Sequence, residues 1–232
     1  MKGEIFHVKV GGDFACFTQP IFKAERNSYL VMTPSAARGI LEAIFWKPTF
    51  RWQIQGIKIL KPISQMSILR NEISAMKGGK PISIEKERVQ RTSLVLKDVE
   101  YIISAGMFKL PNIEHDFSKY PCQFKRRLEK GQCHHTPYLG TREFAAWFEA
   151  ANGSEQSQTG INFDLQMLFD IAFIKDDKKN EMQFHQHDAN GKATEVKGYR
   201  KALFHTFQIR EGAFEVPQKY YQELYQSEGI YV

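Results

Sequence analysis

The run HDFSKYPCQFKRRLEKGQCHH, residues 115–135, holds five Lys and Arg, three His and two Cys in twenty-one positions, with Asp116 and Glu129 as its acids. Three chemistries suit such a set: a solvated basic helix, a Cys/His metal site, or a grip on a nucleic-acid backbone. Structural zinc takes well-spaced ligand pairs arranged about a tetrahedron. Here Cys122 and Cys133 are separated by ten residues with a basic stretch between them, and adjacent His134 and His135 do not normally reach one metal together. His185 and His187 share one face of a strand, without an evident third ligand. The expectation is no metal site and no cofactor.

The cations suit phosphate better. On a helix Lys119 or Arg126 can contact phosphate oxygens, and a helix opening at Pro121 would offer unpaired N–H groups to an anion. RNA cleavage without a metal needs three parts: a base for the 2′-hydroxyl proton, a cation for the charge growing on phosphorus, and an acid for the leaving oxygen. Lys119 fits the cation. Tyr120 carries a phenol, a sluggish base unless its surroundings change it. A solvated helix face is the plain alternative for all of these residues, and the residues alone leave both open. No GxSxG, P-loop or dinucleotide fingerprint occurs, and Asp164, Asp170 and Asp188 lack the spacing of a two-metal nuclease.

The rest of the chain bounds the setting. Its 232 residues suit two modest domains or one elaborated domain. A composition 42% hydrophobic and 25% charged is that of a globular chain, and a net charge of +6 favours anionic partners. A second basic cluster, Lys77 to Arg91, is diluted by Glu85 and Glu87 and reads as a mixed solvated loop. The start, MKGEIFHVKVGG, breaks its apolar pattern too soon for a signal peptide, and no apolar run is long enough to cross a bilayer. Three cysteines without CxxC spacing argue against a disulfide framework. The location expected is cytoplasmic, with no membrane partner.

Several elements must position the basic run. EIFHVKV alternates as a strand, with Gly11-Gly12-Asp13 expected to interrupt or bulge it. SYLVM (28–32) is a strand candidate. In TPSAARGILEAIFW, Thr33 is an N-cap, Pro34 opens the helix, and Ala37, Ile40, Leu41 and Ile44 form its apolar stripe. Lys47-Pro48 ends it. TFRWQIQGIKIL is a strand with Phe50, Trp52 and Ile54 on one face. Residues 63–74 and 92–108 are further strands around a long polar loop or hairpin, and PCQFKRRLEKG is a helix closed by Gly131. GTREFAAWF (140–148) is a strand candidate. ANGSEQSQTG (151–160) marks a boundary, beyond which INFDLQMLFDIAF is a strand, DDKKN a turn and EMQFHQH the returning strand of a hairpin; DANGK is another turn and ALFHTFQI another strand, before a helix at YYQELYQ. The fold class expected is α+β: a ferredoxin-like domain over 1–150 with a long insertion near 62–92, then an antiparallel β-rich domain over 151–232.

ARGILEAIFWKPTFRW, FKRRLEKG and YLGTREF together resemble the CRISPR-associated RAMP subunit of the type I-C Cascade, the d-type member of the fifth Cas family. The resemblance runs over most of the chain. It implies a ferredoxin-like, RRM-like N-terminal domain with a β-rich C-terminal domain. It also implies a metal-independent endoribonuclease that cuts CRISPR repeat RNA, leaves a 2′,3′-cyclic phosphate and stays with the crRNA among other Cascade subunits. DNA is a further candidate partner. The family's catalytic positions fall on Phe45 (Tyr in the family), Lys119 (retained) and Tyr120 (His in the family). Phe45 cannot exchange a proton, so Tyr120 would move it, with His115 the alternative base and His134 or His135 further substitutes. Lys47, Lys125, Arg126, Arg127 and Lys130 are the expected RNA-binding cations. The rivals are a non-catalytic RNA-binding scaffold in the same complex and, from another class, a metal-dependent hydrolase using the histidines.

Overall fold

The structure is a computed structural model that describes residues 4–22, 25–73, 83–111, 116–179, 181–187 and 192–230. In chain order its elements are β1 (Ile5–Ala15), α1 (Pro34–Ile44), β2 (Phe50–Ile59), β3 (Gln65–Ile73), α2 (Ile84–Glu87), β4 (Arg88–Lys109), α3 (Lys119–Glu129) and β5 (Trp147–Ala151). They continue with β6 (Phe163–Lys175), β7 (Met182–His187), β8 (Ala193–Ile209), β9 (Ala213–Glu215) and α4 (Gln218–Ser227).

One sheet runs β5-β1-β4-β2-β9, with β3 paired to the first half of the long β4; a second runs β6-β8-β7. Every pairing is antiparallel. The chain is thus α+β, rich in antiparallel sheet. α1 connects β1 to β2, and α3 connects β4 to β5. Both helices lie over the face that carries Phe6, Val8 and Val10 of β1, Tyr101, Ile103 and Ala105 of β4, and Trp52 and Ile54 of β2. Phe124 of α3 locks this layer: its ring centroid is 5.1 Å from that of Phe6 and 4.6 Å from that of Trp52.

α1 forms as its sequence dictates. The Thr33 hydroxyl accepts the Ala36 N–H at 3.2 Å and Pro34 takes the first helical position. The alternation of β2 holds through Ile54, then a bulge at Gln55 moves the buried set to Ile57 and Ile59. Tyr221 of α4 closes the backbone there, its hydroxyl accepting the Ile54 N–H and donating to the Ile54 carbonyl at 3.2 Å.

Five expected elements differ. β1 runs unbroken through Gly11-Gly12 to Ala15, because Gly11 leaves room for the Trp147 ring: a β-carbon there would lie 2.5 Å from Trp147 Cζ2. SYLVM forms no strand. Only Ser28 makes a bridge, to Thr18, while Val31 and Met32 are buried in irregular backbone. In GTREFAAWF the strand starts only at Trp147. Gly140 sits at φ +87°, and a β-carbon on it would lie 2.1 Å from the Cys16 carbonyl oxygen. This close approach, with the Cys16 N–H donating to the Leu139 carbonyl at 2.9 Å, makes LGTREF a packed turn. Of the loop expected over residues 75–91, residues 75–82 lie outside the described residues, while Ile84–Glu87 form the short helix α2 and Arg88–Arg91 open β4, where they pair with β3. EMQFHQH does not return along β6: as β7 it pairs with β8, and the DANGK turn before β8 falls on 188–191, outside the described residues. No described helix is long and apolar enough to cross a membrane.

Candidate functional site

The C-terminal end of α1 and the opening of α3 meet at a cluster of aromatic rings. Phe45, the extended residue that ends α1, is 1% exposed and stacks on Phe50 at 5.8 Å. Tyr120 lies 5.9 Å from Phe45, 5.8 Å from Phe50 and 5.4 Å from Phe117, centroid to centroid. The fold thus brings Phe45, Lys119 and Tyr120 together from two separate stretches. Among these rings the Tyr120 hydroxyl accepts a hydrogen bond from the Thr49 hydroxyl at 3.1 Å, and Thr49 is itself buried. That bond leaves the phenol's own proton free to donate outward, and a phenol that accepts a hydrogen bond becomes a stronger donor. Thr49 joins this candidate site without having been singled out in the sequence, where PTF reads as the end of a helix and the start of a strand.

Lys119 is the first residue of α3 and exposed. Beside it the Asp116 carboxyl is held below the usual carboxylate range, first by the Ser118 hydroxyl and N–H and then by the charges of Lys119 and Lys109. The expected anion site at Pro121 needs correction. The helix opens two residues earlier, Pro121 has no N–H to give, and the Tyr120 N–H already donates to the Phe117 carbonyl at 3.1 Å. What the opening of α3 offers an anion is the Lys119 ammonium and the Tyr120 hydroxyl.

The basic helix divides by employment. Arg127 donates to the Ile44 carbonyl at 2.7 Å and lies over the Phe45 ring at 5.2 Å, so it caps α1. Lys125 pairs with Glu4. Arg126 and Lys130 are exposed on the outer face of α3, and Lys47 is exposed just past α1. His115 lies outside the described residues. His134 and His135 are exposed, with both backbone N–H groups directed to the Ala43 carbonyl. Cys16, Cys122 and Cys133 are free thiols. Among the described residues no three His, Cys, Asp or Glu side chains gather as metal ligands would. A groove that the sequence did not announce opens on the far side of Phe50, walled by Trp46 and by His185 and His187 of β7.

The fold is one found among CRISPR-associated proteins. A crystal structure of a CRISPR-associated protein superposes with a TM-score of 0.63 at 21% identity, covering 93% of this chain and 92% of that one. A functionally uncharacterized protein from Streptococcus mutans superposes equally well, at 22% identity over 94% of both chains. The family model described as CRISPR-associated protein (Cas_Cas5), of the Cas5d group, matches residues 6–216. The CRISPR pre-crRNA endoribonuclease Cas5d of Thermus thermophilus is 51% identical over 222 residues, 95% of each chain. The protein of the same name from Mannheimia succiniciproducens is 43% identical over 187 residues, 71% of this chain and 83% of that one. The chain belongs to the Cas5d family.

Proposed function

We propose that this protein is an endoribonuclease that cuts CRISPR repeat RNA, pre-crRNA, without a metal ion. The observation that carries the reading is the Tyr120 hydroxyl, oriented by Thr49 within a wall of aromatic rings and set next to the exposed Lys119. The 51% identity to a relative named for this activity supports it. In the step envisaged, the 2′-hydroxyl of one nucleotide attacks the adjacent phosphorus and the bond to the 5′ oxygen of the next nucleotide breaks. A 2′,3′-cyclic phosphate and a 5′-hydroxyl result. Lys119 faces the charge that builds on the non-bridging oxygens. Tyr120 donates a proton to the departing 5′ oxygen, and its phenol recovers that proton from solvent. His115 is the candidate to take the 2′-hydroxyl proton. Arg126, Lys130 and Lys47 contact flanking phosphates; Arg127 and Lys125 act mainly through Phe45 and Glu4.

Around this site the strand order β5-β1-β4-β2, with two helices on one face, supports a ferredoxin-like, RRM-like region over 1–150 followed by a β-rich region over 151–232. β9 returns to the first sheet beside β2, so the two regions share a core. The protein works in the cytoplasm, stays with the crRNA as a subunit of the type I-C interference complex, and contacts DNA there.

The test is to substitute 2′-deoxyribose at the scissile nucleotide. Cleavage should stop while binding persists, and the intact RNA should yield a cyclic-phosphate terminus. A product ending in 3′-hydroxyl would overturn the mechanism. A second reading, a non-catalytic RNA-binding scaffold, draws on the buried Phe45, which has no proton to exchange. It predicts tight, salt-sensitive repeat binding with uncut RNA at protein excess.

A further inference from the structure

The groove beyond Phe50 has a volume of about 480 Å³. Ligand pockets of roughly 300–1,000 Å³ take small organic molecules. Its walls carry Trp46, Phe50, Phe173, Phe184, His185 and His187, drawn from the end of α1, the start of β2, and strands β6 and β7, which both pair with β8. Trp46 is 46% exposed although it is the largest apolar side chain in that wall, and the His187 ring stands against it edge-to-face at 5.7 Å. Phe173 of β6 and Phe184 of β7 pack together at 5.6 Å on the opposite wall.

The charges at the groove are already matched. Arg51 makes a two-pronged pair with Glu228 at 2.6 and 3.2 Å, and Arg38 pairs with Asp170 at 2.7 Å and Glu42 at 3.1 Å. A phosphate gains little from arginines so engaged. Aromatic faces with a few polar edges suit an unstacked base, since every base has a π-face and hydrogen-bonding edges. His185 and Gln186 supply such edges, and Arg38 holds a buried Nε with no hydrogen-bond partner among the described residues.

Position supplies the second argument. The run Trp46-Lys47-Pro48-Thr49-Phe50 leads from the groove to the Tyr120 hydroxyl. Phe50 lines the groove and also packs against Tyr120 at 5.8 Å. A nucleotide seated in the groove is therefore a near neighbour of the phosphate at Lys119 and Tyr120.

We infer that this groove captures one unpaired nucleobase of the RNA next to the cleaved phosphodiester, stacked on Trp46 with His187 bracing the indole. The inference rests on the function proposed above and adds a specificity subsite to it. It makes Trp46 a substrate-positioning residue and predicts that one nucleotide of the repeat is read as an unstacked base.

The test is an abasic scan of the repeat RNA with the wild-type protein, Trp46→Ala and Trp46→Phe, reading affinity and single-turnover cleavage. One abasic position should weaken wild-type binding about five- to a hundred-fold, the range for loss of one base–aromatic stack. Trp46→Ala should show a similar loss on intact RNA and no further loss at that position, while Trp46→Phe keeps most of the affinity. In a Trp147→Phe background, where the remaining Trp52 is fully buried, Trp46 fluorescence should quench with intact RNA and not with the matching abasic RNA. That signal needs no alanine variant to fold. If the wild type binds and cuts but no abasic position couples to Trp46, or the two losses add, the base site is overturned alone. If the wild type neither binds nor cuts repeat RNA, the functional reading falls first and takes the base site with it.

Discussion

Arg126 and Arg127 stand side by side in the sequence and do different work. Arg127 caps α1 through the Ile44 carbonyl and covers Phe45, whereas Arg126 is exposed on the outer face of α3. Arg127→Ala should cost about 1–3 kcal/mol of stability in denaturant titrations, the scale of a lost charged hydrogen bond at a partly buried acceptor. Arg126→Ala should leave stability within about 0.5 kcal/mol and lower the salt slope of RNA binding by about one. The same pattern in both variants would refute this division. At Tyr120 the expectation is sharper: Tyr120→Phe removes the proton and leaves the buried Thr49 hydroxyl without its acceptor. Cleavage should slow roughly 10²- to 10⁴-fold, the usual weight of general acid catalysis, with RNA affinity nearly unchanged. An equal rate would remove Tyr120 from the chemistry.

At the scale of elements, what was legible followed local rules. Thr33-Pro34 opens α1, Phe124 and Leu128 mark the buried side of α3, and Gly131 at φ +60° ends that helix. The period-two run from Phe163 to Phe173 is strand β6. What was not legible depends on groups far along the chain. The bulge at Gln55 is closed by Tyr221, and β9 is too short to announce itself without β2 to pair with. At the candidate site, Lys119 and Tyr120 drew attention by residue type and Phe45 by the family resemblance, and the structure brings the three side by side. Thr49 and the Trp46 groove were not legible, because nothing local says that residue 49 meets residue 120, or that His187 of β7 meets Trp46. LGTREF tests the element view. Gly140→Ala must adopt a left-handed backbone that costs about 1–2 kcal/mol and must push back the Cys16 carbonyl. Thermal unfolding should fall by several degrees, and an unchanged midpoint would contradict the packed-turn account.

Across the whole molecule, α1 lies between the two sheets, and buried ion pairs tie the layers. Arg38 of α1 reaches Asp170 of β6, and Arg51 of β2 reaches Glu228 just past α4. Asp170 is 2% exposed, so Asp170→Ala leaves a buried guanidinium whose remaining direct ion pair among the described residues is with Glu42, and should cost about 3–5 kcal/mol in denaturant titrations. Burial pushes the Tyr225 hydroxyl up to about 12, against the opposing effects of the Gln53 hydrogen bond and the Arg51 charge. Because the folded value lies above the ordinary value near 10, this contribution is fully present below about pH 10. It is lost progressively as pH rises toward 12. Tyr101 and Tyr221 are pushed up by burial as well, so alkaline unfolding should steepen in that window, and Tyr225→Phe should make it shallower without abolishing it. These ties join α1 to β6 and β2 to the end of α4, and α1 and β2 are the elements that lead into and out of the Phe45–Phe50 segment. The central claim is that this frame cuts repeat RNA with its own side chains, and cleavage in excess chelator tests it most directly. Wild-type protein should cut its repeat at an undiminished rate, and Lys119→Ala should lose cleavage while still binding the RNA. Cleavage that stops in chelator and returns with magnesium, or that survives Lys119→Ala at full rate, would contradict the account.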